Sequence, residues 1–106
     1  MTVYIIARFK IYDRVGYDRY EENFLEVFEP YGGTVLSVEE KPTVLQGEFD
    51  FTRSVLLEFP SAKQAMEWMS SPEYQEIAKH RLKASIGNAI MVKKLETGEL
   101  EEQLAK

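Results

Sequence analysis

The sequence predicts one α+β domain, and three observations carry the prediction. The chain has 106 residues and a mass of 12.3 kDa. A chain of that mass keeps roughly 6,000 Å² of the about 18,000 Å² it exposes when unfolded, enough for one core and too little for two. Segments with a period of two alternate with segments whose apolar residues recur every three to four positions, the signatures of strand and helix. Hydrophobic residues make up 44% and charged residues 29%, with six Tyr, six Phe and one Trp, the make-up of a packed globular chain.

The first strand covers residues 3–11: Val3, Ile5, Ala7, Phe9 and Ile11 share one face, and Tyr4, Ile6, Arg8 and Lys10 the other. Asp13 is placed to cap a long helix reaching about Tyr31. On it Tyr17, Tyr20, Phe24, Val27, Phe28 and Tyr31 fall on one face, with Glu21 on the shoulder. Gly32-Gly33, a pair between helix and strand, reads as a C-cap rather than a phosphate loop. Residues 34–39 form the second strand, which Lys41-Pro42 breaks. Val44 to Phe49 reads as a short extra strand or hairpin arm, interrupted at Gly47.

Thr52 to Phe59 is a strand with Arg53, Val55, Leu57 and Phe59 on one face and Ser54, Leu56 and Glu58 on the other. Pro60-Ser61 opens a helix carrying Ala62, Ala65, Met66 and Met69 on its apolar side and Trp68 on its shoulder. Ser70-Ser71-Pro72 interrupts it, and a helix resumes over 73–84, since proline suits a first turn. Ile86 to Lys93 is the last strand. The domain is therefore expected over residues 1–95. Residues 96–106, with Glu96, Glu99, Glu101 and Glu102, read as a solubilising acidic tail, loose or marginally helical.

The order β-α-β-(β)-β-α-α-β is close to the split βαβ plan of the ferredoxin-like sandwich. Ile5-Ile6, Val55-Leu56-Leu57 and Ala89-Ile90-Met91-Val92 are apolar on both strand faces. Helices from so short a chain cover one face of the sheet, so a second copy is expected on the other, giving a homodimer.

Thirteen basic against eighteen acidic residues give a net charge of −5 and a pI near 4.9. Phosphate neutralisation needs a clustered basic face, and the longest basic cluster, Lys79-His80-Arg81-Leu82-Lys83, has no second patch, so no nucleic-acid partner is expected. The absence of cysteine excludes disulfides, iron–sulfur ligation, thiolate zinc sites and cysteine nucleophiles. Met1 to Arg8 lacks the basic and apolar regions of a signal peptide, and no run approaches the ~18 apolar residues of a membrane span. A cytoplasmic location with no membrane partner is the expectation.

Several pieces in register resemble one family: Tyr31-Gly32-Gly33, Leu45-Gln46-Gly47-Glu48, Glu58-Phe59-Pro60-Ser61 after Arg53, and Ala65, Trp68, Ser70-Ser71-Pro72-Glu73-Tyr74 and Arg81. Together, over roughly residues 2 to 95, they look like the domain of unknown function 1330 family. The resemblance implies a dimeric α+β barrel, two ferredoxin-like subunits joined sheet to sheet. Relatives of that architecture include cofactor-free monooxygenases, muconolactone isomerase-like enzymes and haem-dependent enzymes, so it supplies a fold and no reaction. Where many members carry an aromatic after the glycine-acid pair, this chain has Phe49-Asp50-Phe51.

His80, the only histidine, points away from the apolar centre by the helical period, so neither a metal nor a haem is expected and no cofactor is assigned. Arg81 lies within the stripe Tyr74, Ile77, Ala78 and Leu82, which turns a guanidinium inward. A charge so placed must meet a carboxylate, with Glu48, Glu58 or Glu21 the candidates, backbone carbonyls or a bound anion. Arg53 is expected to pair with Glu39 or Glu48. Tyr17 and Tyr20 line the first helix's inner face, Tyr74 offers a second hydroxyl, and Trp68 an apolar wall. The expected binding set is therefore Arg81, Tyr20, Tyr74, Trp68, Arg53 and Glu48. Tyr20 and Glu58 are the candidates for cofactor-free acid–base chemistry on a small anionic or carbonyl compound. The rival reading is a non-catalytic dimer module in which Arg81 only locks a helix to the sheet.

Overall fold

Alternating apolar residues lay down four strands in a computed structural model that describes residues 1–105: β1 (Val3–Ile11), β2 (Thr34–Glu39), β3 (Arg53–Phe59) and β4 (Ser85–Lys93). They form one antiparallel sheet in the order β2-β3-β1-β4. Helices α1 (Arg14–Glu22) and α2 (Phe24–Phe28) and a 3₁₀ turn (Glu29–Tyr31) connect β1 to β2; α3 (Ala62–Ser70) and α4 (Pro72–Ala84) connect β3 to β4. Two interleaved βαβ halves with the helices on one face make a ferredoxin-like α+β sandwich.

Period two sorts the sheet's residues into two populations. Val3, Ile5, Ala7, Phe9, Leu57 and Phe59 are buried beneath the helices. On the far face Ile6 sits in register between Leu56 and Ile90, and Tyr4 between Glu58 and Val92. Ile6 and Ile90 remain 43% and 57% exposed, so a row of apolar side chains crosses an uncovered sheet face. In β2, Val35 pairs with Leu57 and Ser37 with Leu56, which leaves Leu36 as an extra residue in a bulge. Val35 and Val38, three apart, therefore both face the helices.

The helix signals act where they were read. Asp13 accepts the Gly16 N–H, Ser61 the Gln64 N–H and Ser71 the Tyr74 N–H, with Pro72 opening α4. Gly32 closes the 3₁₀ turn in the left-handed region at φ 79°.

Four expectations need correction. The long first helix breaks at Asn23, whose φ and ψ of −112° and 5° leave the helical basin, and tightens to 3₁₀ geometry around Pro30. Residues 44–49 form no strand: among the described residues the edge of β2 takes no partner, and Leu45 is 93% exposed in a loop. That loop's end is held to β1 by Lys10–Asp50 at 3.1 Å, by Arg8 over the Phe51 ring, and by the Thr52 N–H on the Phe9 carbonyl. Trp68 is no shoulder residue but 2% exposed, while Ala62 and Met66 face solvent; α3 presents Ala65 and Trp68 to Phe28 and Phe59. Leu82 is 65% exposed, because α4 ends at Ala84, which packs inward in its place.

The acidic tail carries a short helix, α5 (Glu99–Leu104), with Leu100 and Leu104 exposed; Lys106 lies outside the described residues. Among the described residues no helix is long and apolar enough to cross a membrane.

Candidate functional site

The helices do not close onto the sheet everywhere. Between them lies a cavity of about 470 Å³, floored by Ala7, Phe9, Gly87 and Ala89 and reaching Val35 and Val38 at the β2 side. Its roof comes from α1 (Tyr17, Tyr20), α2 (Phe24), α3 (Trp68) and α4 (Tyr74, Arg81). The aromatic rings form a continuous chain: Phe9–Tyr17 at 6.1 Å, Tyr17–Tyr20 at 5.5 Å, Tyr20–Phe24 at 5.6 Å, Phe24–Trp68 at 5.9 Å and Trp68–Tyr74 at 4.2 Å between centroids. Such rings supply large apolar walls at little conformational cost.

Gly87 brings β4 against β1: a Cβ there would run into the Arg8 carbonyl oxygen and lie 2.9 Å from Phe9 Cα. The Tyr12 and Asp13 N–H groups both donate to the Ala84 carbonyl, tying the end of α4 to the end of β1. The Ser85 hydroxyl donates to the Arg81 carbonyl at 2.8 Å. These bonds fix the turn from which the Arg81 side chain projects.

Two arginines reach the cavity in different electrical states. Arg53 is buried with both terminal nitrogens paired: Nη2 donates to Glu21 at 2.6 Å and Nη1 to Glu40 at 3.1 Å. Arg14 joins the cluster through Glu40 at 2.6 Å, Asp18 at 3.0 Å and Glu21 at 3.4 Å. The hydrogen bond from Arg14 is the largest of the effects that hold the Glu40 carboxyl below its usual range. The expected partners of Arg53 were Glu39 and Glu48. Glu39 stands in register with Ser54 on the far face, so the next residue, Glu40, reaches Arg53. Glu48 lies exposed in the loop and does not line the cavity.

Arg81 has no carboxylate within ion-pair distance among the described residues. Glu58 is on the opposite sheet face, Glu48 is in the loop, and Glu21 belongs to Arg53. Its guanidinium lies 5.1 Å from the Phe9 ring centroid and 5.5 Å from that of Tyr20, a cation–π setting that leaves the charge uncancelled. Glu58, a candidate base, is turned away from the cavity by strand alternation and has no access to anything held there.

Tyr20 and Tyr74 meet hydroxyl to hydroxyl at 3.0 Å. One proton makes that bond and the other stays free, so the pair is a net donor. Burial first, then the neighbouring Tyr74, raises Tyr20 well above the usual phenol range, and burial pushes Tyr17 up to about 12. At neutral pH both are donors rather than bases.

Among the described residues the buried side-chain polar atoms without a partner are Arg53 Nε, Trp68 Nε1 and Arg81 Nε. All three are N–H donors, and all three residues line the cavity. His80 is half-buried and does not line it, and no group of three acidic or histidine side chains is placed to hold a metal among these residues.

The structure thus gathers Arg81, Tyr20, Tyr74, Trp68 and Arg53 around one cavity and leaves Glu48 and Glu58 outside. Sequence reasoning missed Gly87, Val35 and Val38 as lining residues and Glu40 as a partner of Arg53. The Gly within a strand was the one available signal; the bulge that aligns the valines leaves none.

No curated protein matches the chain. Among solved structures, it is similar to a protein of unknown function from Rhodopseudomonas palustris, with 23% identity, 90% of this chain and 83% of that one covered, and a TM-score of 0.76. It is also similar to SnoaB, a cofactor-independent oxygenase from Streptomyces nogalater, with 12% identity, coverage of 92% and 96%, and a TM-score of 0.63. A third likeness is to a dimeric protein of unknown function and ferredoxin-like fold from Bacteroides fragilis, with 16% identity, coverage of 88% and 96%, and a TM-score of 0.59. At these identities the likeness establishes the fold. The sequence pattern of one family runs through residues 2–95, and the chain belongs to that family, the domain of unknown function DUF1330.

Proposed function

We propose that this protein is a homodimer whose subunits each bind a small organic molecule, bearing an anionic or carbonyl group, in the cavity between helices and sheet. The observation that carries the reading is Arg81: a guanidinium on the cavity wall, between two rings, with no carboxylate to pair with among the described residues. Arg81 is half-buried, and the part of its charge turned inward is relieved when an anion joins it. The spare Tyr20–Tyr74 proton also asks for an acceptor oxygen. Arg81 is the anchor, the tyrosine pair the hydrogen-bonding wall and Trp68 the apolar wall.

Any conversion of the bound molecule would be cofactor-free, with Tyr20 donating a proton or hydrogen bond to an oxyanion rather than abstracting one. The similarity in fold to a cofactor-independent oxygenase supports this class of chemistry by analogy alone. A cysteine-free chain needs no oxidising compartment, which suits the cytoplasm.

Dimerisation is supported by the uncovered row Ile6, Leu56 and Ile90. It is supported too by shape: the single chain measures 48 × 35 × 18 Å and exposes 7460 Å². A compact monomer of this mass exposes about 6,100 Å².

The test is melting temperature against benzoate concentration for the wild type, Arg81→Lys and Arg81→Met. A ligand that binds only the native state raises it logarithmically with concentration. The wild type should respond and Arg81→Met should not. Lysine should rescue little, lacking the planar fork. A wild type indifferent to benzoate and other small carboxylates, with a large stability loss in Arg81→Met, would favour the purely structural role.

A further inference from the structure

Resting on the binding reading above, we infer that the ligand is a straight-chain acid of about ten to twelve carbons, its carboxylate on Arg81 and its alkyl chain running to the edge of β2. Sheet register sorts the cavity floor into levels. Gly87, Phe9 and Arg53 are cross-strand partners at one level. Two residues along lie Ala89, Ala7, Val55 and Val38, and two further lie Ile5, Leu57 and Val35. The charged residues that line the cavity all belong to the first level. Arg81 stands 5.1 Å from the Phe9 ring, Arg53 is the cross-strand partner of Phe9, and Glu21 is bonded to Arg53 at 2.6 Å. The two levels beyond are floored by apolar side chains alone among the described residues.

The cavity meets water where those apolar levels end. Leu25, Val35 and Val38 line it and are 53%, 37% and 43% exposed, so its rim at β2 is made of wetted apolar side chains. A strand spacing of about 4.8 Å and a rise of about 3.3 Å per residue put Val38 roughly 12 Å and Val35 roughly 16 Å from Phe9. An extended alkyl chain with bonds of about 1.5 Å advances about 1.3 Å per carbon, so about ten to twelve carbons join Arg81 to that rim. A shorter acid leaves Leu25, Val35 and Val38 in water. A chain of that length covers them, and the apolar area it removes from water favours binding.

Titration calorimetry at pH 7 with hexanoate, octanoate, decanoate and dodecanoate, each below its micelle-forming concentration, reads the contribution of the chain. Affinity should climb about two- to fourfold per added methylene, with one acid bound per subunit. Val38→Asp sets a carboxylate in the path of the chain, beyond the reach of hexanoate. It should weaken decanoate by about tenfold or more and leave hexanoate within about twofold. Should Val38→Asp fail to fold, Leu25→Asp on the helix side of the rim gives the same readout. Hexanoate and benzoate binding with no gain on lengthening overturns the chain inference and leaves the anion site in place. A gain that survives both rim variants, or that survives Arg81→Met, overturns it as well, since the chain would then lie elsewhere. Silence from every acid, benzoate included, would remove the binding reading itself.

Discussion

The Tyr20–Tyr74 contact gives the sharpest test of how the cavity wall is held. The hydroxyls are 3.0 Å apart in a buried setting, Tyr20 at 6% and Tyr74 at 3% exposure. Tyr20→Phe leaves the Tyr74 hydroxyl buried without that partner, and Tyr74→Phe does the same to Tyr20. Each single change should cost about 1–2 kcal/mol, the desolvation penalty of an orphaned hydroxyl together with the lost bond. The double change removes both hydroxyls and both penalties, so it should cost no more than one single. The coupling is then about 1 kcal/mol or more, well above the few tenths by which independent sites depart from additivity. In thermal unfolding each single should lower the midpoint by about 4–8 °C per kcal/mol. Urea titration at one fixed protein concentration measures the cycle while holding any association constant. Two singles that simply add would refute the mutual hydrogen bond and with it the spare proton assigned to the cavity.

Three further outcomes are expected. In an alkaline titration followed by phenolate absorbance, Tyr17 and Tyr20 should stay protonated beyond the usual phenol range. Both folded pKa values are raised, so the stability the two add is complete below the unfolded phenol value near 10 and is lost as pH rises, for Tyr17 as it climbs toward about 12; phenolate absorbance complete by about pH 10 would contradict their burial. Gly87→Ala should destabilise by about 1–3 kcal/mol, because its Cβ meets backbone that has no room to move, and a variant melting with the wild type would contradict the close β1–β4 approach. Ile6→Asp should convert a dimer near 25 kDa, twice the 12.3 kDa chain, to a monomer in light scattering, and a wild type already monomeric at micromolar concentration would refute the sheet-to-sheet pairing.

Sequence periodicity revealed the sheet well because burial there depends on strict alternation: Val3, Ile5, Ala7 and Phe9 could occupy only one face. Arg81 was equally legible, as a charge inside an apolar stripe. Trp68 was not, because a nine-residue helix with several apolar residues has no unique wheel centre, and the rings of Phe28 and Phe59 decided which side turned in. The partners of Arg53 were hidden for a related reason. Glu21 and Glu40 lie 32 and 13 residues away, and nothing local signals which of the chain's eighteen acids will arrive there. Charge pairs between elements depend on how those elements dock, and docking leaves no period in the sequence.

The bulge in β2 bears on how this family's chains can change length. Deleting a residue from the middle of a paired strand turns every following side chain to the opposite face, which a sheet apolar on both sides still feels as a misplaced cavity wall. Leu36 is the exception, since it stands opposite no residue of β3. Its loss would regularise the ladder and leave Val38 beside Val55 and Glu39 beside Ser54, each on its present face. The sheet therefore holds one position at which a deletion is silent to the cavity, and length variation among related strands is expected to concentrate there.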